Sequence, residues 1–414
     1  MTVRTMAPLA VSAHSDQAQP WRGLAPAVFM LAWGGNHFTP LLHLYQQAGH
    51  YAAWQANVLL ATYVLGLVPG LLVAAALSDQ HGRRPVMAAG IAASVLGNLL
   101  LAFGLHSFTV LAVGRAIAGI GVGVAMSVGS SWIKELSQPP FEGGAPIIGR
   151  GARRAALSLT LGFAIGALVT GVLAQWAPMP TTLPFLVHVA LTLVTLVVFL
   201  RVPESLPVRR RAEGPWWRDL RVPAAAHPRF MRVIVPAAPW VFGAAGVAYA
   251  IMPAVVANRV GQWGTLHATV LTVLTLGAGA LVQPWVGRLD LLTRGRALQV
   301  GLALMTLGMG LAVVGALLGD PIFVLGVAVV LGIAYGITVV AGLVQVQAIA
   351  TPQDLAGLTG VYYALTYTGF LLPSVLAALL SVAGYAVSLT LVAVICAGCW
   401  VVVTRGLALT SGRP

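Results

Sequence analysis

Some ionisable side chains of this sequence lie inside long apolar segments, where charge is costly. Among them are the histidines His37, His43 and His188 and a single arginine, Arg115. An imidazole binds and releases a proton near neutral pH, so each histidine is a candidate proton carrier. An arginine in hydrocarbon costs about 2.5–3.5 kcal/mol on insertion scales. Arg115 therefore either tunes a proton site or meets an anionic group, or it is a structural residue satisfied by backbone carbonyls.

The sequence places its carboxylates elsewhere, because all ten Asp and Glu residues fall outside the apolar segments. If protons are carried within these segments, a histidine is the natural carrier. We single out His37 and His43, with the alternative that either is a hydrogen-bonded packing residue. Asn36, Pro40 and His43 fall on one helical stripe, and Pro40 should loosen the backbone hydrogen bonds there.

A binding cavity needs apolar walls with a few polar groups, and several side chains in the apolar segments could supply them. The alternative for each is packing against a neighbouring helix or lipid. Since the segments hold one arginine and no acid, we expect a neutral, weakly acidic or lipophilic small molecule. The candidates are Asn36, Tyr63, Tyr249, Gln283, Tyr363 and Tyr367.

The elements that must position these residues are apolar helices. The 414-residue chain is 58% hydrophobic and 8% charged, against about 25% charged in a soluble domain. This composition excludes a soluble enzyme and a disordered chain, and two cysteines exclude a disulfide scaffold. A bilayer-crossing helix needs about 20 apolar residues. Twelve segments qualify, near 24–47, 53–77, 86–105, 108–133, 155–176, 183–200, 233–257, 266–287, 297–318, 321–346, 355–382 and 385–404.

The positive charges predict the orientation of these segments. The net charge is +13, and every Lys and Arg except Arg115 and Arg259 falls on one side of the predicted spans. Because Lys and Arg concentrate in cytoplasmic loops, this asymmetry places both termini in the cytoplasm of a cell with the protein in its inner membrane. The basic pI therefore reflects contact with the lipid bilayer, and we expect no nucleic-acid partner.

The chain divides into two similar parts. An arginine- and proline-rich loop after the sixth span predicts a linker, and Asp79–Arg84 is echoed weakly by Asp290–Arg296 in the second part. Repeated halves around a central cavity are typical of secondary transporters. We predict a cytoplasmic tail over 1–20, a six-helix bundle over 21–202, a linker over 203–231, a second bundle over 232–406 and a tail over 407–414.

Asp79 ends the second span, where the helix dipole disfavours an anion. Two features could compensate its charge. One is the pair Arg83 and Arg84, and the other is the start of the eleventh span, Thr351–Asp354, which has the capping residue and proline of a helix N-terminus.

Four motifs, in order and on the predicted sides, carry a resemblance to the major facilitator superfamily. The first family motif, G-x-x-x-D-R-x-G-R-R, is matched in part by Ala75-x-x-x-Asp79-Gln80-x-Gly82-Arg83-Arg84. The span-four motif with its buried arginine resembles Gly114–Gly121, and Val202–Ser205 resembles the Pro-Glu-Ser/Thr ending. The antiporter motif G-x-x-x-G-P-x-x-G-G is similar to Gly162-x-x-x-Gly166-Ala167-x-x-Thr170-Gly171, which lacks the proline.

The resemblance implies an all-α membrane protein with twelve transmembrane helices in two pseudo-symmetric bundles, usually monomeric, close to drug:proton antiporters. It implies that Asp79, Gly82, Arg83, Arg84 and Glu204 form a cytoplasmic gate, with Asp79 bridging the halves in the outward-open state. It associates Arg115 with proton coupling.

The expected function is export of a small organic compound by proton antiport, without cofactor or metal. The alternative is uptake or facilitated diffusion of a sugar or other metabolite. A membrane enzyme would show clustered His, Asp and Glu, and a sensor would show a soluble signalling domain. The sequence has neither, and it lacks the phosphate-binding loop of an ATP-driven pump.

Overall fold

The computed structural model describes residues 19–143, 150–206, 222–350 and 355–411. Within these ranges the ordered elements are helical and no strand occurs. A helix satisfies its backbone polar groups internally, which an apolar solvent requires. The α-helices are α1 (Trp21–Asn36), α2 (Leu42–Ala48), α3 (Ala53–His81), α4 (Arg83–Phe103), α5 (Phe108–Val124), α6 (Ser130–Leu136), α7 (Arg150–Trp176), α8 (Leu183–Phe199), α9 (Val235–Gly246), α10 (Met252–Val260), α11 (Gly264–Val282), α12 (Val286–Leu292), α13 (Ala297–Leu318), α14 (Pro321–Gln347), α15 (Leu355–Thr368), α16 (Leu371–Leu379) and α17 (Tyr385–Ser411).

All twelve predicted segments lie on helical structure. Among the described residues, nine helical stretches are by themselves long and apolar enough to cross a membrane. One of these nine, Phe230–Leu292, is 63 residues long and holds two predicted segments, while Leu183–Phe199 is apolar but shorter. The all-helical membrane fold is confirmed, and the count of twelve crossings stays a prediction.

Several predicted spans are broken helices rather than single ones. The first is interrupted by a 3-10 turn, Thr39–Leu41, because Pro40 has no N–H for a helical hydrogen bond. The seventh contains a π-helical turn, Val247–Ile251, just before Pro253. The eleventh divides between α15 and α16, where Gly369 lies against the backbone of α9. These breaks lie at the level where the two halves of the protein meet.

Helices α1–α8 form the N-terminal half and α9–α17 the C-terminal half. In the first half, α3 and α4 pack on α5, α1 packs on α7, and α4 packs on α8. The second half repeats this order, with α11 and α13 on α14, α9 on α15, and α13 on α17. The exact ends of the bundles stay a prediction, and residues 1–18, 207–221 and 412–414 of the predicted tails and linker fall outside the described residues.

The outer faces of the bundles are apolar. On α8, Val194 and Val197 are 64% and 59% exposed, and on α17, Leu391 and Val394 are 57% and 63% exposed. A water-soluble protein rarely exposes such continuous apolar surface. These faces fit the acyl chains of a bilayer.

The helices α3 and α5 approach unusually closely. A Cβ added at Gly66 would lie 1.7 Å from the carbonyl oxygen of Ala116, and one at Gly119 would lie 2.1 Å from that of Tyr63. Contacts under about 3 Å are not tolerated by real side chains. The contact between these two helices therefore depends on glycine at both positions.

We expect Gly66→Ala to lower the melting temperature of the purified protein in detergent. The methyl group must push α5 away, and overpacking costs about 1–3 kcal/mol. The matched control is Gly310→Ala on α13, where a Cβ meets nothing within 4 Å. The control should keep or slightly raise the melting temperature, and equal melting of the two variants would contradict the close-contact argument.

Candidate functional site

Six aromatic side chains meet at the centre of the molecule, and we call them the aromatic cluster. Phe242 is stacked on Tyr367, with ring centroids 4.3 Å apart, and on Phe370 at 5.0 Å. Tyr63 faces Tyr367 at 6.5 Å and therefore brings the N-terminal half into the cluster. The members are Tyr63, Phe242, Tyr249, Tyr335, Tyr367 and Phe370.

The helix breaks position this cluster. Tyr249 lies in the π-helical turn after α9, and Phe370 lies in the interruption between α15 and α16. The Tyr367 hydroxyl donates to Met126 Sδ at 3.2 Å, which is a contact from the C-terminal to the N-terminal half. The cluster therefore joins the two halves at the level where a cavity would open if they separated.

Arg115 is completely buried within the N-terminal half. Its Nε donates to the Leu59 carbonyl at 3.1 Å and Nη2 to the Leu60 carbonyl at 3.5 Å, both on α3. The guanidinium lies over the rings of Phe38 and Tyr63, at 4.5 and 4.8 Å from their centroids. Its Nη1 has no hydrogen-bond partner. Carbonyls and ring faces disperse the charge without a carboxylate.

Two histidines form a buried pair beside this arginine. The rings of His37 and His188 are 5.1 Å apart by centroid, and Phe185 lies 4.7 Å from the His37 ring on another side. His188 Nε2 lies 2.7 Å from the Met30 carbonyl oxygen. Neither nitrogen of His37 has a hydrogen-bond partner. We call His37, His188, Arg115 and the neighbouring Tyr45 the polar chamber.

The other predicted residues of the first span lie nearby but outside the chamber. Asn36 accepts a hydrogen bond from the Thr39 hydroxyl at 3.0 Å, and its amide donates to the Phe163 carbonyl at 3.4 Å. His43 lies beyond the break, where it lines two cavities of about 280 and 190 Å³ between the halves. Tyr249 lines the smaller of these.

Two predicted cavity residues stand apart from the ring contacts of the aromatic cluster. Tyr363 packs against Tyr362, with ring centroids 5.6 Å apart. Gln283 is partly exposed at the 3-10 turn that ends α11. Of the six candidates, Tyr63, Tyr249 and Tyr367 belong to the cluster.

The predicted gate residues gather at one end of the N-terminal half, which we call the arginine-rich end. Arg83 pairs with Asp79 at 2.5 Å and with Glu135 at 2.9 Å. Glu204 accepts the backbone N–H groups of Arg83 and Arg84 at 3.1 and 2.9 Å, which satisfies the N-terminus of α4.

Gly82 makes the turn from α3 to α4 with φ of 102°, a backbone conformation that favours glycine. Arg84 reaches the Leu200 carbonyl rather than Asp79. Arg83 therefore compensates Asp79 within one half, and the alternative partner Thr351–Asp354 lies outside the described residues.

Sequence reasoning missed Glu135 as the second partner of Arg83 and His188 as the partner of His37. Glu135 lies at the end of α6 and also accepts from the Ser205 hydroxyl at 2.5 Å. The charge asymmetry predicted that Glu135 lies on the same side as Arg83 but could not name it as the partner. No local spacing connects His37 with His188, because the pairing depends on how α1 packs against α8.

At the opposite end, which holds the start of α3 and the end of α7, the two halves are closed together. The Gln175 side chain donates to the Gln262 carbonyl at 3.0 Å and accepts from the Leu266 N–H at 3.2 Å. Beneath it, a Cβ on Gly171 would lie 1.8 Å from Thr269 Oγ1. Across the described ranges, the ion pairs at the arginine-rich end stay within the N-terminal half.

A second network of this end surrounds Glu142. Its carboxylate pairs with Arg150 at 3.2 Å and with Arg154, whose guanidinium lies 4.1 Å from the centre of the Trp21 ring. The hydrogen bond and charge of Arg154, aided by Arg150, lower the pKa of Glu142 despite its burial. The ionised carboxylate therefore ties the turn after α6 to the start of α7 and holds Arg154 against Trp21 of α1.

We expect this network to make stability depend on acid pH. Because the folded-state pKa of Glu142 is depressed, its stabilisation is present above the ordinary carboxyl pKa of 4.5 and is lost as the pH falls through the folded-state value. Melting curves recorded from pH 6 downwards should therefore fall more steeply for the wild type than for Glu142→Gln. Parallel curves would show that the pair contributes nothing.

Residues 24–261 match the model of the Major Facilitator Superfamily. The chain belongs to this family. Membership makes it a multi-pass membrane protein of a transporter family.

Similar proteins are each described as transporters. The chain is 34% identical over 109 residues to the 3-(3-hydroxy-phenyl)propionate transporter of Escherichia coli strain K12, covering 24% of this chain and 25% of that protein. It is 31% identical over 129 residues to myo-inositol transporter 1 of Cryptococcus neoformans, covering 30% and 22%. The chain thus aligns with about a quarter of the length of these relatives.

Solved structures share the whole fold. The nucleoside transporter NupG matches with a TM-score of 0.70 at 12% identity, covering 95% of this chain and 99% of that one. The xylose transporter XylE from E. coli, in a partially occluded inward open conformation, matches with a TM-score of 0.70 at 15% identity, covering 94% and 97%. At such identities the likeness concerns the fold alone.

Proposed function

We propose that the protein is a secondary active transporter that moves a small organic compound across the membrane by alternating access, most simply by proton-coupled efflux. The observation that carries this proposal is the aromatic cluster at the junction of the halves. It forms where a central site would be exposed to one side or the other as the halves rock. The protein works as a monomer in the inner membrane, with both termini in the cytoplasm.

The character of the cluster indicates the substrate class. Tyr367, Phe242 and Phe370 offer stacked ring faces, and the neighbouring Tyr63 and Tyr249 add hydroxyl groups. No carboxylate is among these six side chains, so a cationic substrate would lack a counter-ion. A planar or aromatic compound that is neutral or weakly acidic fits best. The E. coli relative named for a hydroxyphenyl propionate carries a compound of this kind.

The gate supports alternating access. Gln175 holds the halves together at the opposite end by hydrogen bonds, whereas towards the arginine-rich end they meet through packing contacts such as that of Leu72 on α3 with Gly360 on α15. We take this as a state in which the opposite end is shut. In the other state, Asp79 would exchange part of its contact with Arg83 for the start of the eleventh span. Breaking and reforming this contact is the cytoplasmic gate.

The alternative is uptake or facilitated diffusion of a sugar or polyol. The names of the inositol and polyol relatives favour it. Polyol binding relies on side-chain amides and hydroxyls around the cavity, and here Asn36 with the tyrosine hydroxyls would supply them.

The first experiment is growth of an efflux-deficient bacterial host on antibiotics, dyes and aromatic weak acids, expressing the wild type or Asp79→Asn. We expect resistance to a subset of compounds from the wild type only, because the variant inserts but loses its gate. Equal resistance from both would remove the gate argument. Increased sensitivity of the wild type would indicate uptake.

We expect Tyr367→Ala to weaken transport of any substrate found by about two- to tenfold in kcat/KM, while Tyr367→Phe keeps most of it. The alanine removes stacking with Phe242, and stacking in a protein interior is worth about 0.5–1.5 kcal/mol beyond the buried area. The control is Phe103→Ala, a residue 72% exposed on the outer face of α4. Equal effects of the two alanine variants would contradict a central site at the cluster.

A further inference from the structure

The side chains of the polar chamber are completely buried, yet several of their polar atoms have no hydrogen-bond partner. Both nitrogens of His37, Nδ1 of His188, Nη1 of Arg115 and the Tyr45 hydroxyl have no hydrogen-bond partner. His37, His188, Arg115 and Tyr45 are all 0% exposed. A buried polar group without a partner costs about 1–3 kcal/mol. Several such atoms around one arginine indicate a place that water or a proton enters during the working cycle.

The hydrogen bond of His188 determines which tautomer its neutral ring adopts. Nε2 lies 2.7 Å from the Met30 carbonyl oxygen, and a carbonyl can only accept, so Nε2 carries the hydrogen. The lone pair of His188 is therefore on Nδ1, which is buried and free to accept a proton. His37, 5.1 Å away by ring centroid, has both nitrogens free.

From this geometry we propose that the His37–His188 pair is the proton site of the transport cycle, separate from the aromatic cluster. It rests on the proposed proton-coupled function and assigns the carrier. One proton from water adds to a ring nitrogen of the pair as the chamber opens. The same proton returns to water on the other side, so the pair ends each cycle neutral.

The surroundings of the pair set the stoichiometry at one proton. Arg115 of α5 is close enough to act electrostatically on His37, and it carries a positive charge. The other ionisable groups at this arginine are tyrosines, namely Tyr45 of α2, Tyr63 of α3 and, from the other half, Tyr249 of the π-helical turn after α9. Across the residues that the structure describes, the carboxylates lie at helix ends or in turns between helices, and no ion pair or hydrogen bond joins one of them to the histidine pair. A second proton would place three like charges together.

The same surroundings link the proton to a conformational change. In this conformation the pair is completely buried, so a neutral pair fits, while a charged pair beside Arg115 has no counter-ion among the described residues. Protonation therefore favours a conformation in which α1 moves and water enters. His37 lies directly before the break in α1, and the turn Thr39–Leu41 packs against α11 of the other half. Movement at His37 thus reaches the contact between the halves.

The test follows the distance across the opposite end as the pH changes. Spin labels are placed at Gln47→Cys and Gln262→Cys, two exposed residues lining the same cavity from different halves. The background carries Cys396→Ala and Cys399→Ala, and the protein is in lipid nanodiscs at pH 4.5 to 8. Acid pH should shift the wild-type population towards the longer distance.

His37→Gln and His188→Gln should each abolish this shift while keeping the short-distance population at pH 8, which shows that they fold. The matched control is His267→Gln, a histidine that also bonds a backbone carbonyl, that of Pro321, but lies in the other half. The control should shift like the wild type. No shift in the wild type, an unchanged shift in both variants, or loss of the shift in His43→Gln would each overturn the proposal.

A parallel measurement separates this proposal from the function on which it rests. Vesicles are loaded with 3-(3-hydroxyphenyl)propionate as the probe, and its flux is measured with and without a pH gradient. Flux that follows the gradient in His37→Gln and His188→Gln as in the wild type overturns the proton site and leaves transport intact. A distance shift that needs both histidines, without flux of this or any panel compound, supports the proton site and overturns the proposed substrate class.

Discussion

The close contact between α3 and α5 is the constraint on which the rest of the structure depends. Glycine at positions 66 and 119 lets the two backbones touch, and the touching brings the carbonyls of Leu59 and Leu60 within reach of Arg115. The arginine in turn lies under the ring of Tyr63. Tyr63 contacts Arg115 of the polar chamber and also Tyr367 of the other half. The close contact between α3 and α5 therefore positions both the buried charge and the aromatic cluster.

Much of the architecture could be predicted because the bilayer imposes it. Long apolar runs, the side chosen by the arginines and the repeated halves are properties of the chain read over tens of residues. The pairing of Asp79 with Arg83 was also predictable, since the two are four residues apart across a turn. For residues this close in sequence, the spacing alone determines whether their side chains can meet.

The contacts that define the site were less predictable, because they join residues that are far apart in sequence. The His37–His188 pair needs the crossing of α1 and α8, and Glu135 meets Arg83 only when α6 ends beside α4. Stripe arguments also failed at the helix breaks. In an unbroken helix Asn36 and His43 would lie on one face. The 3-10 turn at Pro40 separates them, so Asn36 bonds within the N-terminal half and His43 lines the cavities between the halves. The sequence also did not distinguish Tyr363, which lies apart from the ring contacts of the aromatic cluster, from Tyr63, Tyr249 and Tyr367.

The closure by Gln175 has an asymmetry that bears on how this protein can vary. Both of its hydrogen bonds across the halves end on backbone atoms, the Gln262 carbonyl and the Leu266 amide. Backbone groups are the same whatever side chain they carry. The C-terminal half can therefore change its residues at these two positions and keep the contact, whereas one substitution at residue 175 removes it. How firmly this end stays shut is therefore controlled by a single residue of the N-terminal half, and so by a single codon of the gene.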